Sequence, residues 1–172
     1  MKISILGYSG SGKSTTAKLL GEHYHIPVLY LDQIQWLPGW KSRPKEEQAS
    51  MAEAFLNEHS DWVIDGNYWR LSFERRLEES DRIVIMTFSP FACLWRVWKR
   101  YRVNKGKTRE SMTEGCNEKL DLEFVYWVLL EGRGKKYRQR LAKVRADFPE
   151  KTVIIKNQRQ LDRFLKKEGI SR

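Results

Sequence analysis

Five short runs of aliphatic and β-branched residues punctuate the chain, at Lys2–Leu6, Pro27–Leu31, Trp62–Asp65, Arg82–Phe88 and Thr152–Lys156. Most are nearly continuous in apolar side chains instead of alternating, which is the pattern of strands covered on both faces of a parallel sheet. Between them the apolar positions recur at helical spacing, predicting helices over Lys13–Tyr24, Pro44–His59, Arg70–Glu78, Phe91–Val103, Leu120–Glu131 and Lys135–Ala146, with a last one over Leu161–Glu168. Strand and helix in alternation predict a doubly wound α/β fold, helices layered on both sides of the sheet. No internal repeat or low-complexity linker divides the chain, so residues 1–172 are expected to form one domain.

One connection breaks the rhythm. More than sixty residues separate the fourth run from the fifth, and they include Asn104-Lys105-Gly106-Lys107-Thr108-Arg109 and the Gly132-Arg133-Gly134 break. Connections of that length inside a compact domain are usually lids or binding loops. The charge distribution points to the same segment. Of the net charge of +10, Arg96–Arg145 contributes +9, from 15 Lys and Arg against 6 Asp and Glu. A basic lid is therefore expected over roughly 96–140, suited to a polyanion: nucleotide phosphates or a nucleic-acid backbone.

Composition narrows the setting. Apolar residues make up 41% of the chain, with seven each of Trp, Tyr and Phe, enough for a packed core and too much for a disordered segment. The run Ile3-Ser4-Ile5-Leu6 stops at Gly7, too short for a secretory apolar region, and no stretch reaches the length of a membrane span. Cys93 and Cys116 form neither a CxxC pair nor a zinc pattern, so reduced thiols and a cytoplasmic location are expected.

The chemistry begins at Gly7-Tyr8-Ser9-Gly10-Ser11-Gly12-Lys13-Ser14, a full match to GxxxxGK[ST] set between an apolar strand and a helix. Glycines let successive backbone N–H groups curl inward around a phosphate, and the start of the next helix adds partial positive charge. Gly7, Ser9, Gly10, Ser11, Gly12, Lys13, Ser14 and Thr15 are therefore the expected ATP-binding residues. Lys13 reaches the β- and γ-phosphates, and the Ser14 hydroxyl is a ligand for Mg²⁺.

Ligands of open α/β sheets bind beyond the carboxyl ends of the strands. Two acids sit there. Asp65 ends the third run and is expected to support Mg²⁺ with Ser14; Asp32 directly follows the second and could orient or deprotonate an acceptor hydroxyl, or assist the metal. Either could instead cap the following helix. Asp81 precedes its strand and reads as a turn residue. In the lid, Phe91, Leu94, Trp95, Trp98 and Tyr101 form one helical stripe, while Arg96, Lys99 and Arg100 form another. Arg96, Arg100 and Arg138 are the expected arginines for charge developing on a transferring phosphoryl group, with Arg109 and Arg133 near them in sequence; a solvated helix face is the alternative.

The start Met1–Ser14, Leu31-Asp32 with Trp36-Leu37-Pro38-Gly39-Trp40, Trp62–Tyr68, and Thr113-Glu114-Gly115-Cys116 together resemble the bacterial DNA topology modulation proteins, over nearly the whole length. That family belongs with the adenylate-kinase-like nucleoside and nucleotide kinases. The resemblance implies a three-layer P-loop fold with a five-stranded parallel sheet and a helical lid over the phosphates. Asp65-Gly66 looks like the Asp-Gly after the third strand of adenylate kinases; there Phe-Pro-Arg follows, whereas Asn67-Tyr68-Trp69-Arg70 follows here.

Gln33, Gln35, Trp36 and Trp40 lie where related kinases hold their acceptor, with Tyr68 and Trp69 after the next strand; these rings either stack on a planar substrate or pack as core. His23, His25 and His59 read as surface residues. The function expected is phosphoryl transfer from Mg·ATP to a small acceptor, with a nucleoside or nucleotide among the candidates. A nucleotide-responsive regulator gripping DNA or RNA through the basic segment is the alternative, although no helix-turn-helix, zinc finger or RNA-binding signature is present.

Overall fold

The computed structural model describes residues 1–170. Five parallel strands, β1 (Lys2–Gly7), β2 (Val28–Tyr30), β5 (Trp62–Asp65), β6 (Arg82–Met86) and β7 (Thr152–Ile155), form one sheet in the order β2-β5-β1-β6-β7. The remaining strands, β3 (Trp36–Leu37) and β4 (Lys41–Ser42), pair antiparallel across the Pro38-Gly39-Trp40 turn. Eight helices are described: α1 (Lys13–Tyr24), α2 (Leu31–Gln35), α3 (Lys45–Glu58), α4 (Phe73–Glu79), α5 (Pro90–Asn104), α6 (Leu122–Leu129), α7 (Lys135–Asp147) and α8 (Gln158–Lys167). None is long and apolar enough to cross a membrane.

Alternation along each central strand explains the three layers. Ile3 and Ile5 of β1, with Val63, Val84 and Ile155, meet Ala17 and Leu20 of α1, Val97 of α5, and Leu161 and Leu165 of α8. Opposite them Leu6, Ile83 and Ile85 meet Leu77 of α4 and Leu141 and Val144 of α7. On the same side, Ile64 packs with Ala52 and Leu56 of α3. Burial on both faces is why these strands read as continuous apolar runs; each such aliphatic side chain contributes about 1.5–3 kcal/mol.

The chain runs from β1 out to β2, back to β5 beside β1, and then across β1 to β6 on its other side. That reversal sets a crevice above the carboxyl end of β1.

Local differences from the sequence reading are confined to what surrounds the sheet. Asp32 stands in the first turn of the five-residue helix α2, and a hairpin follows, both too short for periodicity to reveal. Helix α4 starts at Phe73, not Arg70, because Ser72 before it takes a left-handed conformation (φ 47°). Residues 105–121 contain no regular helix or strand.

Candidate active site

The glycine-rich loop closes tightly over the sheet. Gly10 (φ 78°) lies so near α5 that a Cβ there would stand 2.7 Å from the Cys93 carbonyl oxygen and 2.8 Å from Val97 Cγ2. Gly12, in the left-handed region at φ 100°, occupies the cap position of α1, and no side chain caps that helix. The free N–H groups of its first turn thus face the crevice with the partial positive charge of the helix start. Ser11 is fully buried and its hydroxyl has no partner.

Lys13 donates from Nζ to the Tyr8 carbonyl at 3.2 Å, across the loop mouth. Ser14 donates its hydroxyl to Asp65 Oδ2 at 2.6 Å. Asp65 comes from β5, where it pairs with Ile5 and Tyr30 on its two neighbouring strands. The carboxyl is buried, and Oδ1 has no partner. Burial pushes its pKa up, while Lys13 and the Ser14 hydrogen bond pull the other way.

These orphaned groups provide a physical test of the groups expected to bind. A buried carboxylate oxygen beside a hydroxyl, with an ammonium close by, is an oxygen donor set suited to Mg²⁺ held chiefly through phosphate and water. Among the described residues no cluster of three His, Cys, Asp or Glu offers a fuller metal cage. The donor set and the uncapped glycine loop fit Mg²⁺ with a nucleotide polyphosphate.

Asn67 ties the third-strand loop to the glycine loop. Its amide oxygen accepts from Gly7 N and its amide nitrogen donates to Gly7 O, each at 2.9 Å. Tyr68, next along, donates its hydroxyl to Asp32 Oδ1 at 2.5 Å. Its own pKa is raised, by burial first and then by the Asp32 charge. Asp32 and Asp65 are close enough for the Asp32 charge to help raise the Asp65 pKa.

The long connection divides its work. Residues 109–118 fold over the α2 and Trp36–Trp40 end of the crevice: Thr113 Oγ1 donates to Trp36 O at 2.6 Å, Gly39 N to Gly115 O at 3.2 Å, and Trp40 Nε1 to Asn117 O at 3.3 Å. Glu118 anchors this roof. Its Oε1 accepts from Arg100 Nε at 2.8 Å, and its Oε2 lies 2.5 Å from Arg109 Nε. Burial lowers the Arg100 pKa first, and the neighbouring Arg109 lowers it further. Helix α6 instead lies on the glycine loop, where Trp127 Nε1 donates to Ser9 Oγ at 3.1 Å. Arg133 follows it, stacked 4.2 Å over the Tyr8 ring and donating to Phe88 O at 2.8 Å.

The arginines singled out in sequence thus occupy three places. Arg96 Nη1 donates to the Ser11 carbonyl at 2.6 Å, inside the glycine loop, with its guanidinium 4.1 Å over Phe88. Arg100 is paired with Glu118 of the 109–118 segment. Arg138 lines a separate groove of about 440 Å³ between α7 and the β6–β7 end, with Tyr8, Thr87, Arg145 and Lys156. Thr15 is exposed, as are His23 and His25. Trp36 and Trp40 meet edge to face at 5.6 Å, Tyr68 packs with the Leu31 cluster, and Trp69 packs against Phe73 at 4.3 Å.

Glu118, Asn67 and Trp127 carry contacts to the site that sequence reasoning did not assign. Glu118 sits eighteen positions from Arg100, too far for any local spacing rule to join them. Asn67 did stand inside a quoted motif but received no role there; an amide directly after a strand-end glycine is the signal that could have found it.

No protein-family model matches the chain, and no curated protein matches it either. Solved structures do. A deoxyadenosine kinase from M. mycoides with bound dATP is 13% identical, with 98% of this chain and 100% of that one covered, at a TM-score of 0.56. A shikimate kinase from Bacteroides thetaiotaomicron is 18% identical, with 99% of each chain covered, at a TM-score of 0.51. At these identities the likeness is one of fold: the chain has the three-layer P-loop architecture found in small-molecule kinases.

Proposed function

We propose that the chain is a kinase, transferring the γ-phosphoryl group of Mg·ATP to a small acceptor bound between Asp32 and the 109–118 roof. The observation that carries the reading is the contact of Ser14 with Asp65 at the mouth of an uncapped glycine loop, leaving one buried Asp65 oxygen and the Ser11 hydroxyl unpartnered. A structural turn has no reason to leave those atoms without partners.

The residues divide the work as follows. Backbone N–H groups of Gly10–Ser14 and the Lys13 ammonium hold the triphosphate. Ser14 and Asp65 hold Mg²⁺, which supplies charge neutralisation at the phosphates. Asp32, oriented by Tyr68, accepts the proton of the acceptor hydroxyl as that oxygen bonds to the γ-phosphorus and ADP departs with the bridging oxygen. Arg96 steadies the loop carbonyl at Ser11, and the 109–118 roof excludes water from the acceptor. The resemblance to the DNA topology modulation proteins is compatible with this reading and adds no acceptor to it.

The test is acceptor-dependent ADP release across a panel of nucleosides, nucleotides and small hydroxy acids, with calorimetry of Mg·ATP beside it. Lys13→Ala is expected to abolish release and weaken Mg·ATP at least tenfold. Salt-sensitive nucleic-acid binding that survives Lys13→Ala, with no ADP release for any acceptor, would overturn the kinase reading in favour of the regulator.

A further inference from the structure

Arg76 is 1% exposed and faces no carboxylate. Its neighbour Arg75 is an ordinary surface arginine, paired with Glu53 and Glu79. Arg76 instead spends its donors on backbone. Nε donates to Leu71 O at 2.8 Å, Nη1 to Gly66 O at 3.3 Å and Nη2 to Tyr68 O at 3.2 Å, while the guanidinium carbon lies 5.3 Å from the Phe73 ring centre. Burial alone lowers its pKa to about 9, so it is charged at neutral pH.

A buried charge that no acid offsets is costly, and an apolar residue of similar volume would fill the same space without that cost. What the guanidinium supplies and an apolar chain cannot is a planar fork of donors reaching three carbonyls of one loop. That loop is 66–71. It starts immediately after Asp65 and carries Asn67, bonded to both backbone groups of Gly7, and Tyr68, bonded to Asp32. Arg76 is itself fastened to β1: its carbonyl accepts from Ser80 Oγ at 2.5 Å, and Ser80 Oγ bonds Ser4 Oγ at 2.9 Å.

We propose that Arg76 is a positioning residue for phosphoryl transfer, clamping the 66–71 loop so that Tyr68 holds Asp32 toward the acceptor while Asn67 keeps that loop in register with the glycine loop. The inference rests on the kinase reading for its catalytic consequence, but the clamp itself has a readout without turnover. None of the Arg76 hydrogen bonds reaches Gly10–Ser14 or α1, and its link to the glycine loop runs only through Asn67 and Gly7, so its loss is expected to fall chiefly on the acceptor side.

Arg76→Met and Arg76→Lys are compared with Arg75→Met as the surface control. The expected result for Arg76→Met is a cooperative melt, Mg·ATP affinity within threefold of the parent protein, and kcat with the acceptor lowered about 30-fold or more. Arg76→Lys, whose ammonium cannot span three carbonyls, is expected to recover only part of kcat, and Arg75→Met to leave kcat unchanged. Arg76→Lys also serves if Arg76→Met does not fold. An unchanged kcat in Arg76→Lys, or equal losses of kcat and Mg·ATP affinity, would overturn the proposal. If no acceptor supports turnover, the kinase reading fails on its own. Hydrogen exchange then tests the clamp: amides of 66–71 are expected to exchange at least tenfold faster in Arg76→Lys with the β1 and β5 amides unchanged. Uniform acceleration, or none, would refute it.

Discussion

Replacing Asp65 by Asn separates what stabilises the free protein from what the site is built to bind. The carboxylate is 6% exposed, one oxygen is bonded to Ser14 at 2.6 Å, and the other has no partner. A buried polar atom without a partner costs about 1–3 kcal/mol, and more when charged. Lys13 offsets part of this, but it is only partly buried and hydrogen-bonded to the Tyr8 carbonyl, so it keeps those partners when Asp65 is neutralised. Asparagine preserves the shape and an acceptor for Ser14 while removing the charge. The net gain expected for the free protein is about 1–2 kcal/mol, and for 172 residues each kcal/mol shifts Tm by about 2–4 °C, giving a rise of about 2–8 °C. The sign with pH follows from the raised Asp65 pKa. Above the ordinary value of 3.8 the folded state holds its proton longer than the unfolded chain, so this group withdraws stability as pH rises through the window above 3.8. The advantage of Asp65→Asn should therefore vanish near pH 3.8 and grow toward neutrality. Differential scanning calorimetry with and without Mg·ATP measures both halves: the free variant melts higher, and the upward shift produced by Mg·ATP is lost. A variant that melts lower than the parent at pH 7, or keeps its Mg·ATP shift, would refute the reasoning.

Two further substitutions test the roof and the glycine loop. Glu118→Gln removes the charge that holds Arg100 and Arg109 from a side chain 4% exposed, and breaking such a buried pair is expected to cost about 3 kcal/mol in urea unfolding and to raise the acceptor KM with little change for ATP. Gly10→Ala forces a Cβ to within 2.7 Å of the Cys93 carbonyl oxygen at φ 78°. It should lose about 2–4 kcal/mol and at least tenfold in calorimetric Mg·ATP affinity. Gly39→Ala, at φ 75° with nothing within 4 Å of the added Cβ, is the control and should cost about 1 kcal/mol without touching nucleotide affinity.

The sheet was legible because burial on both faces leaves an almost unbroken apolar run, and all five runs are sheet strands in the structure. The ends of α1 were legible too, from the helical spacing that follows the glycine loop at Lys13, and in the structure the helix stops at Tyr24 before a left-handed His25 (φ 53°). The roof over the acceptor end was not. Its contacts are single hydrogen bonds between segments about 77 residues apart, such as Thr113 to Trp36 and Trp40 to Asn117, and no periodicity encodes them. Charge marked one segment and hid how its arginines divide. The block read as one basic lid holds Arg100 against a buried acid, Arg96 against a loop carbonyl, and Arg138 in a groove of its own. Counting charges cannot distinguish these, because the partner of each arginine, such as Glu118 for Arg100, is set by contacts far apart in the chain.

On the kinase reading, that sorting has a consequence for how nucleotide and acceptor would communicate. Glu118 fastens the connection to the acceptor side, and only nine residues later Trp127 fastens it to Ser9 of the glycine loop. Between them Asp121 caps α6 through the Phe124 amide at 2.8 Å, making the link a short helix start with little slack. A ligand that shifts Ser9 therefore moves α6, and α6 can follow only by carrying the Glu118 roof or by breaking the cap. Beneath it, the Asn67–Gly7 pair joins the same two loops through the floor. On the kinase reading, rigid ties above and below would couple nucleotide and acceptor through packed elements with few alternative arrangements, so that closure over one would favour closure over the other.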